Sequence, residues 1–323
     1  MSAFLGFQLF IRMLSLPKVS VVMSVFNGAR TLQRAVDSIL SQAGVELEYI
    51  IVNDGSNDGT AQMLVALAEK DGRIKVIHQP NAGLTRALIR GCAEAKGEFI
   101  ARQDADDVSL PGRLAKQSAF LINNPSVALV SCWTQYIGPE DELLYDVCRK
   151  EDPEVATAML RSGDASSLRG ASGHGTAMFH RADYLRAGGY RDQFYFAQDM
   201  DLWLRLAELG QLAFVPEVLY QARFGTSDIS GKYHREQIAL GKLMLQAHAA
   251  RRGGESETPY LEQAARIRPD GRKSTNRQQA AGSYFIGKML LGRGDARGRK
   301  YLWQAVRICP LHFKAWLSLV LNR

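Results

Sequence analysis

The sequence predicts an α/β fold with a mostly parallel central sheet, followed by a helical C-terminal extension. Three observations predict it. Short apolar, β-branched runs alternate with amphipathic helical patterns, the signature of parallel βαβ units under the right-handed crossover rule. A polar motif rich in Asp and Asn ends each run, where open sheets of this kind bind ligands. Beyond Lys232 the strand pattern stops and Gly-punctuated helical periodicity takes over. The chain has 323 residues. On a soft prior of roughly 150 residues per domain, that is two domains, or one large domain with an appendage.

Val19–Phe26 is nearly continuous in apolar residues and reads as a strand buried on both faces. Asn27-Gly28 breaks it. Leu32, Ala35, Val36, Ile39 and Leu40 then share one helical face. Leu47–Val52 is the second strand and runs into Asn53-Asp-Gly-Ser-Asn-Asp-Gly-Thr60; Asp58 or Thr60 caps the next helix. Ile74–His78, a helix over 83–95 and Glu98–Gln103 complete four strands with three helices. Pro111 sits where a helix start favours proline. Val127–Cys132 is a further strand. A β-segment over 140–149, a helix over 153–161 and a strand over Thr176–Phe179 follow. From Asp199 a helix turns Leu202, Leu206 and Leu209 inward. Its opening pair, Asp199 and Asp201, suits the positive end of the helix dipole. The tail reads as helices over 233–251, 275–291, 295–308 and 311–321.

Composition sets limits on function. The four cysteines are widely spaced with no CxxC pair, which argues against a disulfide framework or a zinc site and fits a reducing, cytoplasmic setting. Residues 232–323 carry 18 Lys+Arg against 6 Asp+Glu, a balance of +12; subtracted from the whole-chain +7, this leaves −5 for residues 1–231. A basic tail points to an anionic partner, whether a phospholipid surface, nucleic acid or a phosphorylated substrate; a solvated helical face is the bland reading. Met1–Leu16 is apolar with the single charge of Arg12, too short to span a bilayer and without a signal peptide's basic start. Residues 1–17 are expected to form an interfacial anchor or a disordered leader. No GxGxxG follows the first strand and no P-loop is present, so a dinucleotide or P-loop site is not expected.

The most informative stretch is Phe99-Ile-Ala-Arg-Gln-Asp-Ala-Asp-Asp107. It ends in three carboxylates within four residues. In a strand, Asp104 and Asp106 lie on one side, because side chains alternate with period two. Crowded carboxylates repel unless a cation joins them, and Mg²⁺ binds one or two carboxylates together with substrate phosphates. An Asp-rich turn capping the helix near Pro111 is the bland alternative.

Val19–Gly28, Val52–Thr60, Asn81-Ala-Gly83 with Arg86, and Ala95–Asp107 together resemble the family 2 glycosyltransferases of the GT-A fold, over roughly residues 18–225. The resemblance implies a GT-A catalytic domain over 18–231, with a donor half at 18–110 and an acceptor half at 111–231, then a basic helical region over 232–323. It implies a nucleotide-diphosphate sugar donor, usually a UDP-sugar. Asp54 would bind the base beside Phe26 and Asn27. Asp104 would contact the ribose or sugar, Asp106 would ligate Mn²⁺ or Mg²⁺, and Asn81 and Arg86 would approach the donor. His174 and Thr176 match a family segment that lines the acceptor side. The family has Glu-Asp where this chain has Gln198-Asp199; the implied catalytic base, Asp199, is kept. Arg223 occupies the place of a family His, and unlike His it pairs with phosphate rather than metal. Locally, Asp54-Gly55 reads equally as a turn, Asn81 as a helix cap, and Arg86 as a surface ion pair. The expected enzyme is an inverting, metal-dependent glycosyltransferase acting on a saccharide or polyprenyl-linked acceptor in surface polysaccharide synthesis, with no nucleic-acid partner. The alternatives are a degenerate nucleotide- or glycan-binding module and a sugar-1-phosphate nucleotidyltransferase.

Overall fold

The computed structural model describes residues 16–225 and 232–321; the expected leader up to residue 15, the end of the Gln221–Ser230 stretch and the last two residues lie outside the described residues. The chain divides into two compact units. The first holds the described residues up to Trp133, with Arg149–Asp192 and Gln198–Tyr220. The second holds Thr134–Cys148, Gln193–Ala197 and the described residues from Gln221 onward.

In the first unit strands and helices alternate as expected: β1 (Lys18–Val25), α1 (Leu32–Leu40), β2 (Glu46–Asp54), α2 (Thr60–Lys70), β3 (Ile74–Gln79), α3 (Leu84–Ala93) and β4 (Phe99–Asp104). These strands are parallel and lie in the order β3-β2-β1-β4. Val19, Ser20, Val21, Val22 and Met23 are wholly buried, as a central parallel strand requires. Helix α1 buries Leu32, Ala35, Val36 and Ile39.

The stretch after β4, which contributes to both units, departs from parallel order. It contains β5 (Val108–Ser109), α4 (Arg113–Asn123), β6 (Val127–Ile137), β7 (Leu143–Val147), α5 (Pro153–Arg161), β8 (Met178–His180), α6 (Arg181–Arg186), α7 (Gln198–Leu209) and β9 (Gln211–Arg223). Strand β8 runs antiparallel to β4, with Phe99 opposite His180 and Ala101 opposite Met178. It also runs antiparallel to β6. The strand expected over Thr176–Phe179 is Met178–His180, because His174–Thr176 coils into a 3₁₀ turn. Strand β9 runs through Pro216, which stays exposed, where a missing ladder donor costs least. Helix α7 is buried on more than one face, from Asp201 through Ala207.

Thr134–Ile137 of β6 pairs antiparallel with β7 inside the second unit. Its helices are α8 (His234–Arg252), α9 (Thr258–Ala265), α10 (Asn276–Gly292), α11 (Gly298–Ile308) and α12 (Phe313–Leu321). The sequence reading contains α8, α10, α11 and α12 but not the short α9. Thr275 and Gln278 form a capping box that fixes the start of α10. Ala280, Leu302, Ala305, Ala315 and Leu319 build one apolar cluster. Tyr301 donates a hydrogen bond of 2.5 Å to the buried Glu142 carboxylate.

The loops after the parallel strands are stitched together before any ligand arrives. Asn27 (φ 53°) donates its backbone N–H to Ser56 Oγ at 2.9 Å and accepts from the Asn57 N–H at 2.8 Å. The Gly28 N–H reaches Thr60 Oγ1 at 2.9 Å, and Thr31 Oγ1 donates to the Ala105 carbonyl at 3.0 Å. Gly55 lies at φ +75°, and a Cβ there would stand 2.5 Å from the Asn81 nitrogen. Gly55→Ala therefore meets both a disfavoured backbone region and a clash. It is expected to destabilise the first unit by about 2 kcal/mol or more, read as a lower urea midpoint.

Candidate active site

The antiparallel pairing of β8 with β4 brings two distant sequence segments together. The end of β4 carries Asp104, and the start of β8 is preceded by the His174–Thr176 turn. The Arg102 N–H donates to the Ala177 carbonyl at 2.9 Å, which fixes the register of that turn.

Arg102 is the hub. Its side chain is wholly buried. Nη2 donates to Asp104 Oδ1 at 2.8 Å, and Nη1 donates to the Val22 carbonyl and, at 3.2 Å, to the Gln103 carbonyl. Nε donates to His174 Nε2 at 3.3 Å, and the Tyr190 hydroxyl lies 2.8 Å from the same nitrogen. A guanidinium has no lone pair to offer, so Nε2 is the acceptor and the ring proton is assigned to Nδ1. Burial, and then the Arg102 charge, hold the His174 pKa well below its ordinary 6.5, so the ring is neutral near pH 7.

A second buried arginine shapes the acidic turn. Arg113 donates to Gln117 Oε1 (3.0 Å), Gln103 Oε1 (3.2 Å), Ser109 Oγ (2.7 Å), the Arg102 carbonyl (2.8 Å) and the Gly175 carbonyl (2.7 Å). Gln103 donates in turn to the carbonyls of Asp104 and Asp107. Tyr220 donates no proton to Asp104; its hydroxyl oxygen accepts the Asp104 N–H at 3.1 Å. A Cβ on Gly175 would lie 1.9 Å from that hydroxyl, so the turn admits no side chain.

Asp199 lies in the first turn of α7, where Oδ1 accepts the Met200 N–H at 2.8 Å. Its pKa is raised, first by burial, with the Asp104 charge adding to the effect and Arg102 opposing it. Asp104, Arg102 and Asp199 thus share one electrostatic neighbourhood. Asp201 faces inward and is paired with Arg191 and, at 2.6 Å, with Arg205, a structural role. Gln198, in place of the family Glu, is buried.

The remaining expected residues fall as follows. Asp54 is buried and both its oxygens accept protein hydrogens: Gln79 Nε2 (2.7 Å) and the Ala82 N–H (2.9 Å) at Oδ1, the Gly83 N–H (2.8 Å) at Oδ2. Asn81 caps no helix; its Nδ2 donates to the Asp54 carbonyl at 3.0 Å. Arg86 pairs with Asp192 at 3.3 Å on the surface. Phe26 is half exposed and Asp106 is exposed. Thr176, expected to line the acceptor side, is wholly buried, with its hydroxyl at 2.7 Å from both Ser131 Oγ and the Gly173 carbonyl. It shapes the turn from inside, so the expectation that it lines a surface is corrected. Arg223, expected at the diphosphate, belongs to the second unit and is nearly buried; it bonds the carbonyls of Gly138 (3.0 Å) and Pro139 (3.2 Å) and pairs with Asp141 at 2.6 Å. Sequence reasoning missed Arg102, Arg113 and Tyr190. Arg102 had a signal: two residues before Asp104 on a strand, it shares that carboxylate's face.

Among the described residues, no group of three or more His, Cys, Asp or Glu side chains could hold a metal ion by itself. The exposed Asp106 fits an ion that shares its coordination with substrate phosphates, as Mg²⁺ commonly does, rather than a closed protein cage.

Comparison with known proteins gives the class as a glycosyltransferase. The Glycosyl transferase family 2 model matches residues 20–184. EpsE of Bacillus subtilis (strain 168), a protein named as a glycosyltransferase, is 35% identical over 236 residues, 72% of this chain and 82% of its own. Chondroitin synthase of Pasteurella multocida (strain Pm70) is 27% identical over 208 residues, 64% of this chain but 20% of that enzyme. Two solved structures share the fold: the mannosyltransferase PcManGT of Pyrobaculum calidifontis with GDP-Man and Mn²⁺ (TM-score 0.54, 19% identity, 95% of this chain and 84% of that one), and S. aureus TarS 1-349 with UDP-GlcNAc (TM-score 0.55, 17% identity, 94% and 89%). The chain belongs to glycosyl transferase family 2, with a GT-A type fold and added C-terminal helices. This sets aside the nucleotidyltransferase alternative.

Arg102→Lys keeps the charge, but one ammonium cannot reach Asp104, His174 and the Val22 carbonyl together. Sugar transfer is expected to fall by about tenfold or more with far-UV circular dichroism unchanged; transfer at the wild-type rate would show that charge alone suffices. Asp199 supplies a pH signature. A raised carboxyl pKa means that ionising it destabilises the folded state, so wild-type stability declines as pH rises through the raised value. Asp199→Asn is therefore expected to melt above wild type at neutral pH, with the difference vanishing below the ordinary Asp range near about 3.9. A difference that grows on acidification would contradict the assignment.

Proposed function

We propose that the protein is a metal-dependent, inverting glycosyltransferase that moves a sugar from a nucleotide-diphosphate donor, a UDP-sugar first among candidates, to a hydroxyl of a saccharide or polyprenyl-linked saccharide in surface polysaccharide synthesis. The observation that carries this reading is the half-buried Asp199 carboxyl in the first turn of α7, its pKa raised by burial and by the charge of Asp104 at the carboxyl end of the parallel strands. PcManGT holds GDP-Man with Mn²⁺, and TarS holds UDP-GlcNAc, on the same fold, which supports a nucleotide-sugar donor.

Asp199 takes the proton of the attacking hydroxyl. Burial raises the proton affinity of this carboxyl above that of an exposed aspartate, which suits it to take up the proton. Asp104, positioned by Arg102, contacts the ribose or sugar. Phe26 and Asn27 flank the base, and the rim of the Asp54–Asn81 contact closes that side. Asp106 would hold Mn²⁺ or Mg²⁺, which neutralises the diphosphate leaving group when bound. His174, neutral and fixed by Tyr190 and Arg102, offers Nδ1–H as a donor towards the acceptor.

Asp106→Asn and Asp199→Asn are each expected to lower transfer on the order of 10²-fold or more, assayed as nucleotide release with Mn²⁺ across UDP-, GDP- and dTDP-sugars. Wild-type turnover in both variants would refute the roles given to these two carboxylates.

A further inference from the structure

Helix α12 is built the wrong way round for a helix whose partners are all protein. Its inward positions are Ala315, Ser318 and Leu319. Its outward positions are larger and apolar: Phe313 is 78% exposed, Leu317 59%, Val320 57% and Leu321 72%, with Trp316 at 41%. Residues 313, 316, 317, 320 and 321 follow the i, i+3, i+4, i+7, i+8 spacing of a single helical stripe. Leu311, just before the helix, is 77% exposed and extends it. Trp303 of α11 is 43% exposed and packs edge-on against Trp316 at 5.6 Å, which widens the stripe with a second indole. Scattered exposed leucines are ordinary; a continuous stripe of this kind marks an interaction surface.

The charge around the stripe identifies the partner. From Arg293 to Lys314 the chain carries six basic residues (Arg293, Arg297, Arg299, Lys300, Arg307, Lys314) and one acidic residue, Asp295; Arg297 is paired with Asp295 and Lys300 with Glu140, while Arg299 and Arg307 stand four residues either side of Trp303 on α11 and Lys314 is exposed on α12. We propose that the outward face of α12, with Leu311 and Trp303, docks on the surface of a bilayer rich in anionic lipid. Apolar side chains enter the boundary between headgroups and acyl chains, the indoles take the interfacial level they favour, and the basic residues meet the anionic headgroups. A second copy fits less well, because pairing two such faces brings like charges together. No described helix is long and apolar enough to cross a membrane. Helix α12 has nine residues, about 14 Å of helix, so it lies on the surface. The inference does not rest on the donor site, and its failure would leave the transferase reading intact.

The test is flotation of the full chain with vesicles of phosphatidylcholine alone and of phosphatidylcholine with about 30% phosphatidylglycerol, at low and high salt. The expected result is at least about tenfold stronger binding to the anionic vesicles, weakened by salt, with a blue shift of tryptophan fluorescence. A triple variant, Phe313→Ser with Leu317→Ser and Val320→Ser, is expected to lose binding by about tenfold or more while its melting profile is kept, since these side chains are exposed. If that variant fails to fold, quenching of wild-type tryptophan by brominated lipid decides: quenching supports docking, and its absence overturns it. Equal binding to both vesicle types, no loss in a folded triple variant, or a dimer that the triple variant abolishes without any vesicle binding would each overturn the proposal.

Discussion

The carboxyl end of the parallel strands in the first unit depends on one guanidinium that water does not reach. Removing a cation from water costs several kcal/mol, recovered only where geometry satisfies the donors. Arg102 meets that condition with two carbonyls, one carboxylate and one imidazole nitrogen. These partners come from three places: β1, β4 itself, and the turn before β8. The ion pair therefore sets the spacing between the acidic turn and the His174 turn more than it adds net stability. Arg113, also buried, meets neutral acceptors, and its bonds define the shape of the loop rather than its charge.

The same cation divides two titrating groups. It disfavours a second positive charge on His174 and partly offsets the burial that raises Asp199. One neighbour is left neutral; the other keeps a proton affinity raised by burial. The carboxylate of Asp54 is spent inward, on Gln79 and the Ala82 and Gly83 amides, so the backbone around it is fixed in advance.

How far the sequence can be read depends on the range of the forces involved. Strands β1 to β4 were legible because buried parallel strands are written as continuous apolar runs, and Leu32, Ala35, Val36 and Ile39 wrote α1 in the same way. Strand β8 was legible as a strand but began two residues late, because His174–Thr176 coils into a turn, and its pairing with β4 is a long-range event that leaves no local period. Pro216 hid β9 by its usual meaning as a strand breaker. Asp104 and Asp199 were readable as carboxylates at element ends. The burial of Thr176 and the tie of Arg223 to Gly138, Pro139 and Asp141 were not, because a side chain's partners across the chain leave no local trace. Arg102 shows the limit best: an arginine inside a strand reads as a solvent-facing residue until its acceptors are known.

Gly175 carries a consequence for how such an enzyme diversifies. With the Tyr220 hydroxyl standing where a methyl group would go, and Arg113 gripping the Gly175 carbonyl, this position is closed to mutation. A lineage changing its preferred acceptor would have to vary the surrounding loops and leave this turn untouched, much as a lathe keeps its chuck while the tool is changed.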